Sequence, residues 1–416
     1  MFESLLNAFR APDIRRRILF VLGILVVYRM LAQVPLPGVD RQALAEFFQN
    51  NSAFGIIDLF AGGGLSQLSI VGLAMNPYIN ASIIMQLMTG VIPSLQALSR
   101  EGEYGRQKLN QYTRYLTVPM ALLQAFGILS AFAAQGVLAP SGEFGLGNAM
   151  SWVQMITLVA GAVVLMWLGE LITEKGIGNG ISFIIFAGIV SRAPAGVLAT
   201  LQQPNPRDII LFAILAIAAV GVIIYIQEGQ RRIPIQYASR VRGRRMYQGG
   251  QTFLPLRVNL AGVIPIIFAI SILAFPGQLA AYFQFSEVEG VRNVATAIGG
   301  FLAPTTIQYS IIYFLLTVGF TYFYTAFTFK PDETAEQLRK NGGFIPGIRP
   351  GRPTQDYLAR VVTRITFAGA LFLAIVAVSP SLLALALPDL ATLGLGGTSL
   401  LIVVSVVVET MKQIEA

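Results

Sequence analysis

The stretch LFAGGGLSQLSIVGLAMNPYINASIIMQLMTGVIPSLQALS, residues 59–99, runs 41 positions without an Asp, Glu, Lys or Arg. A helix of about 20 apolar residues crosses a hydrocarbon core of about 30 Å and keeps every backbone N–H and C=O bonded within the segment, where no water is available. The bilayer is therefore the solvent this stretch calls for. Working outward, residues 115–142, 144–169, 209–227, 258–286, 293–329, 365–388 and 390–408 are also free of charge, each 19 or more residues long. Two weaker segments complete the set: 18–34, with Arg29 near one end, and 180–200, with Arg192 in a similar place. A long cationic side chain near a helix end can reach the interface. Ten spans are expected.

Composition agrees. The 416-residue chain is 55% hydrophobic and 12% charged, with a mean hydropathy of +0.66, whereas soluble domains carry about 25% charge. A soluble enzyme is all but excluded. There is no Cys and no His, which removes disulfides, thiolate and imidazole metal sites, thiol nucleophiles and His acid–base chemistry. No catalytic residue, metal or cofactor is expected. Arg15, Arg16 and Arg17 precede the first apolar run as they would in a secretory signal, but nine more spans follow and no small-residue cleavage site stands out, so this helix reads as retained.

Ten alternating spans put both termini on one side, together with the loops around residues 93–114, 170–179, 228–257 and 330–364. That side holds 24 of the 29 basic residues and 13 of the 21 acids, a net +11; the other side holds 5 and 8, a net −3. The positive-inside rule makes the basic side cytoplasmic.

The clearest interruption is QQPNPRD, residues 202–208, after span five. It divides the chain into a first half, 1–201, and a second, 209–416, joined by a hinge loop. Because five is odd, equivalent helices in the halves run in opposite directions, an inverted repeat. GIGNGISFII at 176–185 and GLGGTSLLI at 394–402 open the fifth helices alike if one residue is skipped, and PYINASII from Pro77 and PIIFAISI from Pro265 mark the second helices. Between spans one and two, Phe54, Ile56, Ile57, Leu59 and Phe60 form a short apolar stretch followed by Gly62, Gly63 and Gly64. It is too short to cross: it is either a re-entrant helix hinged at the glycines or an interfacial outer loop. Two basic segments stand out. Residues 228–257 carry Arg231, Arg232, Arg240, Arg242, Arg244, Arg245 and Arg257 against one acid, and residues 330–364 carry seven basic residues, Arg349 and Arg352 among them, against four acids. Topology alone could explain the excess, but clustered arginines also suit phosphate, carboxylate or RNA partners.

The chain has no GxxxxGK[ST] phosphate loop, GxSxG elbow or HExxH helix. All seven Asp residues fall in loops or at span ends, which speaks against an intramembrane aspartyl enzyme, and GIGNG follows a span instead of a strand, so it reads as the flexible entry to a helix. A secondary transporter of a small solute, the alternative reading, would place an ionisable group near the midplane; Glu170 and Glu409, the nearest candidates, sit toward span ends. The central spans carry Asn76, Asn80, Ser82, Gln86 and Gln124 instead, and such groups more often tie helices together than bind substrate.

The runs NPYINASIIMQLMT, EGEYGRQKLNQYTRY, MWLGELITEKGIGNGISFIIFAGIV, GQRRIPIQYASRVRGRRMY, LPLRVNLAGVIPIIF, FKPDETAEQLRKNGGFIPGIRPG and GGTSLLIVVSVVVE occur in this order over nearly the whole chain. Together they closely resemble the SecY family, the large channel subunits of the bacterial Sec protein translocon. The sequence departs from the family in FKP, where NP is more usual, and in its short tail after Lys412.

The resemblance implies an all-α polytopic fold: two inverted halves of five helices closing as a clamshell around a central pore, with a re-entrant plug at about 54–66. It implies a channel that passes unfolded polypeptide across the bacterial inner membrane, both termini cytoplasmic, and releases hydrophobic segments into lipid. Carried over position by position, the pore ring would be Ile79, Ile83, Ile181, Ile185, Ile267 and Ile402. The lateral gate between helices two and seven would involve Asn80, Gln86, Gln124 and Pro265. The plug would comprise Phe54, Ile56, Ile57, Leu59, Phe60 and Gly62 to Gly64. The arginines Arg231, Arg232, Arg240, Arg242, Arg244, Arg245, Arg349 and Arg352 would serve a motor or ribosome. The implied partners are SecE and SecG subunits, the SecA motor, the ribosome, signal peptides and nascent chains, and membrane lipid, with no DNA among them. Branched apolar side chains suit such a ring because they close by dispersion and dewetting, yet offer no specific hydrogen bond a passing chain must satisfy.

Overall fold

The fold is a computed structural model that describes residues 11–50, 67–134, 136–138, 144–145, 147–201, 206–237, 240–242, 245–247, 250–283, 288–303, 306–386 and 397–415. Helix α1 (Pro12–Gln33) is followed by a short outer helix, α2 (Arg41–Asn50), then by α3 (Asn76–Val91), α4 (Pro93–Ser99), α5 (Glu103–Ala134), α6 (Ala149–Lys175), α7 (Gly180–Leu201) and α8 (Pro206–Glu228). Strands β1 (Gln230–Tyr237), β2 (Arg240–Arg242), β3 (Arg245–Tyr247) and β4 (Gln251–Arg257) come next. The chain continues through α9 (Ile264–Phe283), α10 (Glu289–Phe301), α11 (Ile307–Thr328), α12 (Pro331–Lys340), β5 (Gly343–Phe344), α13 (Arg352–Ala386) and α14 (Gly397–Glu415).

A helix occupies each of the ten stretches expected to cross. By length and apolar composition alone, four helices among the described residues are sufficient to span, or five if α3 and α4, bent by 103° at Ile92 and Pro93, count as one. Three more are apolar over shorter described stretches, 180–191 in α7, 213–228 in α8 and 264–277 in α9. Helix α1 carries Asp13 and four arginines, and each charge lowers its hydropathy.

The charge-free run 293–329 holds α11 whole and the end of α10, which stops at Phe301. One expectation needs correction: the chain is not all-α. Residues 230–257, expected as a loop, form an antiparallel ribbon in which β1 pairs with β4 from Gln230↔Arg257 to Gln236↔Gln251, while β2 pairs with β3. QRRIPIQY alternates in burial, with Ile233 and Ile235 inward, which is a strand period of two rather than a helical one.

Three apolar cores organise the molecule. The largest gathers side chains from α1, α3, α6, α7, α8, α9, α11, α13 and α14. A second lies under the segment before α3, where Leu36, Leu68, Leu73, Leu129, Phe132 and Leu158 pack together. The third joins Ile233 and Leu256 of the ribbon to Ala335, Ile345, Leu358, Val361 and Val362.

The entry to α7 is tight instead of flexible. Asn179 caps the helix by accepting from the N–H of Ile181 at 3.0 Å, and the Gly180 N–H donates to Thr173 Oγ1 at 2.9 Å. A Cβ on Gly180 would collide with the Gly169 carbonyl of α6. Gly178 takes φ +80°, a left-handed conformation that favours glycine.

Candidate functional site

Helices α3, α7, α9 and α14 each present an isoleucine to the same core. Ile79 and Ile83 lie four apart on α3 and Ile181 and Ile185 four apart on α7, so each pair faces one way. Ile83 is 2% exposed and Ile402 1%; Ile79 and Ile185 are buried as well, and Ile181 and Ile267 pack partly buried against them. All six belong to one continuous apolar cluster that contains residues from both halves of the chain. Ile184, Ile266 and Leu401, beside these positions, are buried at least as deeply and were not distinguished by the sequence. A run of consecutive apolar residues does not say which member points inward.

Helices α3 and α9 touch along a seam, and α9 also touches α5. Asn80 and Gln86 are half-buried in α3, Gln124 is buried in α5, and Pro265 is buried in the first turn of α9, where its missing N–H costs no ladder bond. Gln86 Nε2 donates to Ser82 Oγ at 3.3 Å, whereas Gln86 Oε1 and Gln124 Nε2 are buried without a hydrogen-bond partner among the described residues. The polar groups of α3 and α5 thus leave hydrogen-bonding capacity unused.

The two basic segments, separate in sequence, meet in space. Strand β5 pairs with β1 through Gln236↔Phe344 and Tyr237↔Gly343, which completes a β4-β1-β5 sheet. Arg231 and Arg232 are exposed on β1, and Arg349 and Arg352 are exposed before and at the start of α13. Thr354 Oγ1 donates to the Arg349 carbonyl at 2.9 Å and fixes the turn between them. Arg240 and Arg242 lie on β2 and Arg245 on β3. Arg244 and the plug residues Phe54, Ile56, Ile57, Leu59, Phe60, Gly62, Gly63 and Gly64 lie outside the described residues.

Polar ties that sequence reasoning missed join helices that are distant along the chain. Arg29, expected to reach the interface, donates to Ser191 Oγ at 3.0 Å and links α1 to α7. Gln227 Nε2 donates to Ser405 Oγ at 2.7 Å, and Lys412 pairs with Glu228 at 2.8 Å, linking α8 to α14. Helices α1 and α7, and helices α8 and α14, are thus each joined by a hydrogen bond to a serine hydroxyl, and the second pair also by a salt bridge. The available signal was Arg29 itself, since a cation inside an apolar run calls for a partner. Glu170, a candidate transport carboxylate, is paired with Arg114 at 2.7 Å; a salt bridge between α5 and α6 accounts for it. Glu409 is exposed.

A mostly helical chain with several helices apolar enough to cross a membrane, gathered on one apolar core, fits the class of membrane-embedded channels. The comparisons give the family. The SecY family model matches residues 69–411. The chain is 44% identical over 430 residues to the protein translocase subunit SecY of Corynebacterium glutamicum, covering 100% of this chain and 97% of that one. It is 44% identical over 434 residues to the subunit of Streptomyces coelicolor, with the same coverage. The chain belongs to the SecY family. Its fold is also similar to a SecY channel structure described by a plug domain that stabilises the closed state, with TM-score 0.67, 20% identity and coverage of 95% of this chain and 90% of that one. It is similar to Sec61 in a canine ribosome-channel complex as well, with TM-score 0.62, 17% identity and the same coverage.

Proposed function

We propose that this chain is the protein-conducting channel of a Sec translocon, moving unfolded polypeptide across the membrane and releasing hydrophobic segments into lipid. The observation that carries this is the convergence of six isoleucines from four helices, drawn from both halves, on one apolar cluster. A ring of such side chains closes against ions by dewetting and deforms around any sequence. In this reading ten helices form two inverted halves, 1–201 and 209–416, joined at 202–208 and closing as a clamshell, with residues about 54–66 as an outer plug. The α3–α9 seam is the lateral gate, where a segment of about 20 apolar residues partitions from a wet pore into hydrocarbon. The unsatisfied atoms of Gln86 on α3 and of Gln124 on the adjoining α5 support this, because a contact that leaves buried polar groups unpaired is cheap to open.

The basic sheet and Arg349 form the docking surface for a motor such as SecA or for the ribosome, and SecE and SecG are companion subunits. The chain catalyses no reaction itself; energy comes from the motor, from translation or from the membrane potential. It sits in the bacterial inner membrane with both termini cytoplasmic.

The test uses the natural absence of cysteine. Cys is placed at Ile83, Ile267 or Ile402, and at the exposed Leu315 as control, and a secretory chain with a single Cys is stalled during export. Disulfide crosslinks at the isoleucine positions and none at Leu315 are expected. Export without a crosslink at any of the three positions would overturn the ring.

A further inference from the structure

Helix α10 is the one element between α9 and α11 that the channel reading leaves without work. Its 13 residues, EGVRNVATAIGGF, amount to about 20 Å, too short to cross a bilayer. It touches α9, and Ala295 is its single buried residue. Val291, Val294, Ile298 and Phe301 follow at spacings of three, four and three, which lays them along one face. All four are exposed, Val294 at 60% and Phe301 at 53%. Glu289, Arg292 and Asn293 lie on the other side of the helix and cancel in charge.

The neighbouring surfaces indicate what covers this stripe. Phe283 at the end of α9, and Ile307, Ile311 and Leu315 along the first turns of α11, are large, apolar and exposed. The apolar stripe of α10 is thus bracketed along the chain by side chains that face hydrocarbon if α9 and α11 cross the membrane. Helix α9 starts beside the basic sheet and runs about 30 Å away from it, so α10 sits at the opposite membrane face. A short helix with one apolar face, little net charge and both ends joined to spans is suited to lie in the plane of the interface.

We propose that α10 is an interfacial helix embedded in the outer leaflet, its Val291, Val294, Ile298 and Phe301 face among the acyl chains and its Asn293 face in water. Because α10 packs on α9, a helix of the gate seam, the lipid surface then holds the outer end of that helix. The proposal rests on the membrane-spanning reading, and the experiment separates the two. The full chain is prepared with a single Cys replacing Val294, Ile298, Asn293 or Leu315, labelled with a nitrobenzoxadiazole fluorophore and reconstituted in phosphatidylcholine vesicles. Quenching by brominated lipid and by aqueous iodide is then compared. Labels at Val294 and Ile298 are expected to lose most of their emission to brominated lipid and little to iodide, with the reverse at Asn293. If Leu315 is quenched by lipid while Val294 and Ile298 respond to iodide or to neither agent, α10 is in water or covered by protein and the inference fails alone. If Leu315 is not quenched by lipid either, the spanning reading fails and takes the inference with it.

Discussion

Glycine 180 shows how little room one residue can have. Its Cα lies against the Gly169 carbonyl, and its N–H is bonded to Thr173, so α6 and α7 meet at van der Waals distance through two glycines. Replacing Gly180 with Val should destabilise the protein by about 1–3 kcal/mol, the usual cost of overpacking, whereas Gly221→Ala, with nothing within 4 Å of the added Cβ, should be neutral or slightly stabilising. Thermal denaturation of both variants in detergent checks this, and equal melting temperatures would refute it. The sequence marked GIGNG as a helix entry, yet not its rigidity, because the partner carbonyl comes from the preceding helix and only packing brings it there. The six isoleucines differ in the same respect. Matching openings singled out their helices and family resemblance their positions, but the burial that separates Ile83 from the exposed Ile84 beside it belongs to the tertiary structure.

At the level of elements, the β-ribbon is the main departure from expectation. Its alternation of Arg, Ile and Pro carries a period of two, but the surrounding charge density made it read as a solvated loop. Its long-range partner, β5, is two residues long and follows helix α12, so nothing local announces the pairing Tyr237↔Gly343. The consequence is that the two basic segments share one core and behave as one unit. Ile233→Asp places an unpaired carboxylate beside Ala335, Ile345 and Leu358, a change of the kind that strongly disfavours a buried site. Limited proteolysis should then show faster cleavage in 343–352 as well as in 230–257, while the membrane helices stay intact. Faster cleavage in the ribbon alone would mean that the segments are independent.

For the whole molecule, the placement of charge predicts the orientation. The sheet should face the cytoplasm and the α9–α11 connection the opposite side. A Cys introduced at the exposed Gln251 should react with a membrane-impermeant maleimide in inside-out vesicles and not in sealed cells, and one at Asn293 should behave in the opposite way. Labelling of both from the same side would remove the alternation of spans from which the inverted halves follow. The sequence by itself determined the solvent and the helical stretches. Those depend on composition summed over about 20 residues, and the cost of burying charge or unbonded backbone in hydrocarbon enforces them locally. Only the tertiary structure decided which isoleucines share a core, that Arg29 is tied to Ser191, and that two distant basic segments form one sheet. Each of these depends on a partner 100 or more residues away, and no local period or propensity encodes the identity of such a partner.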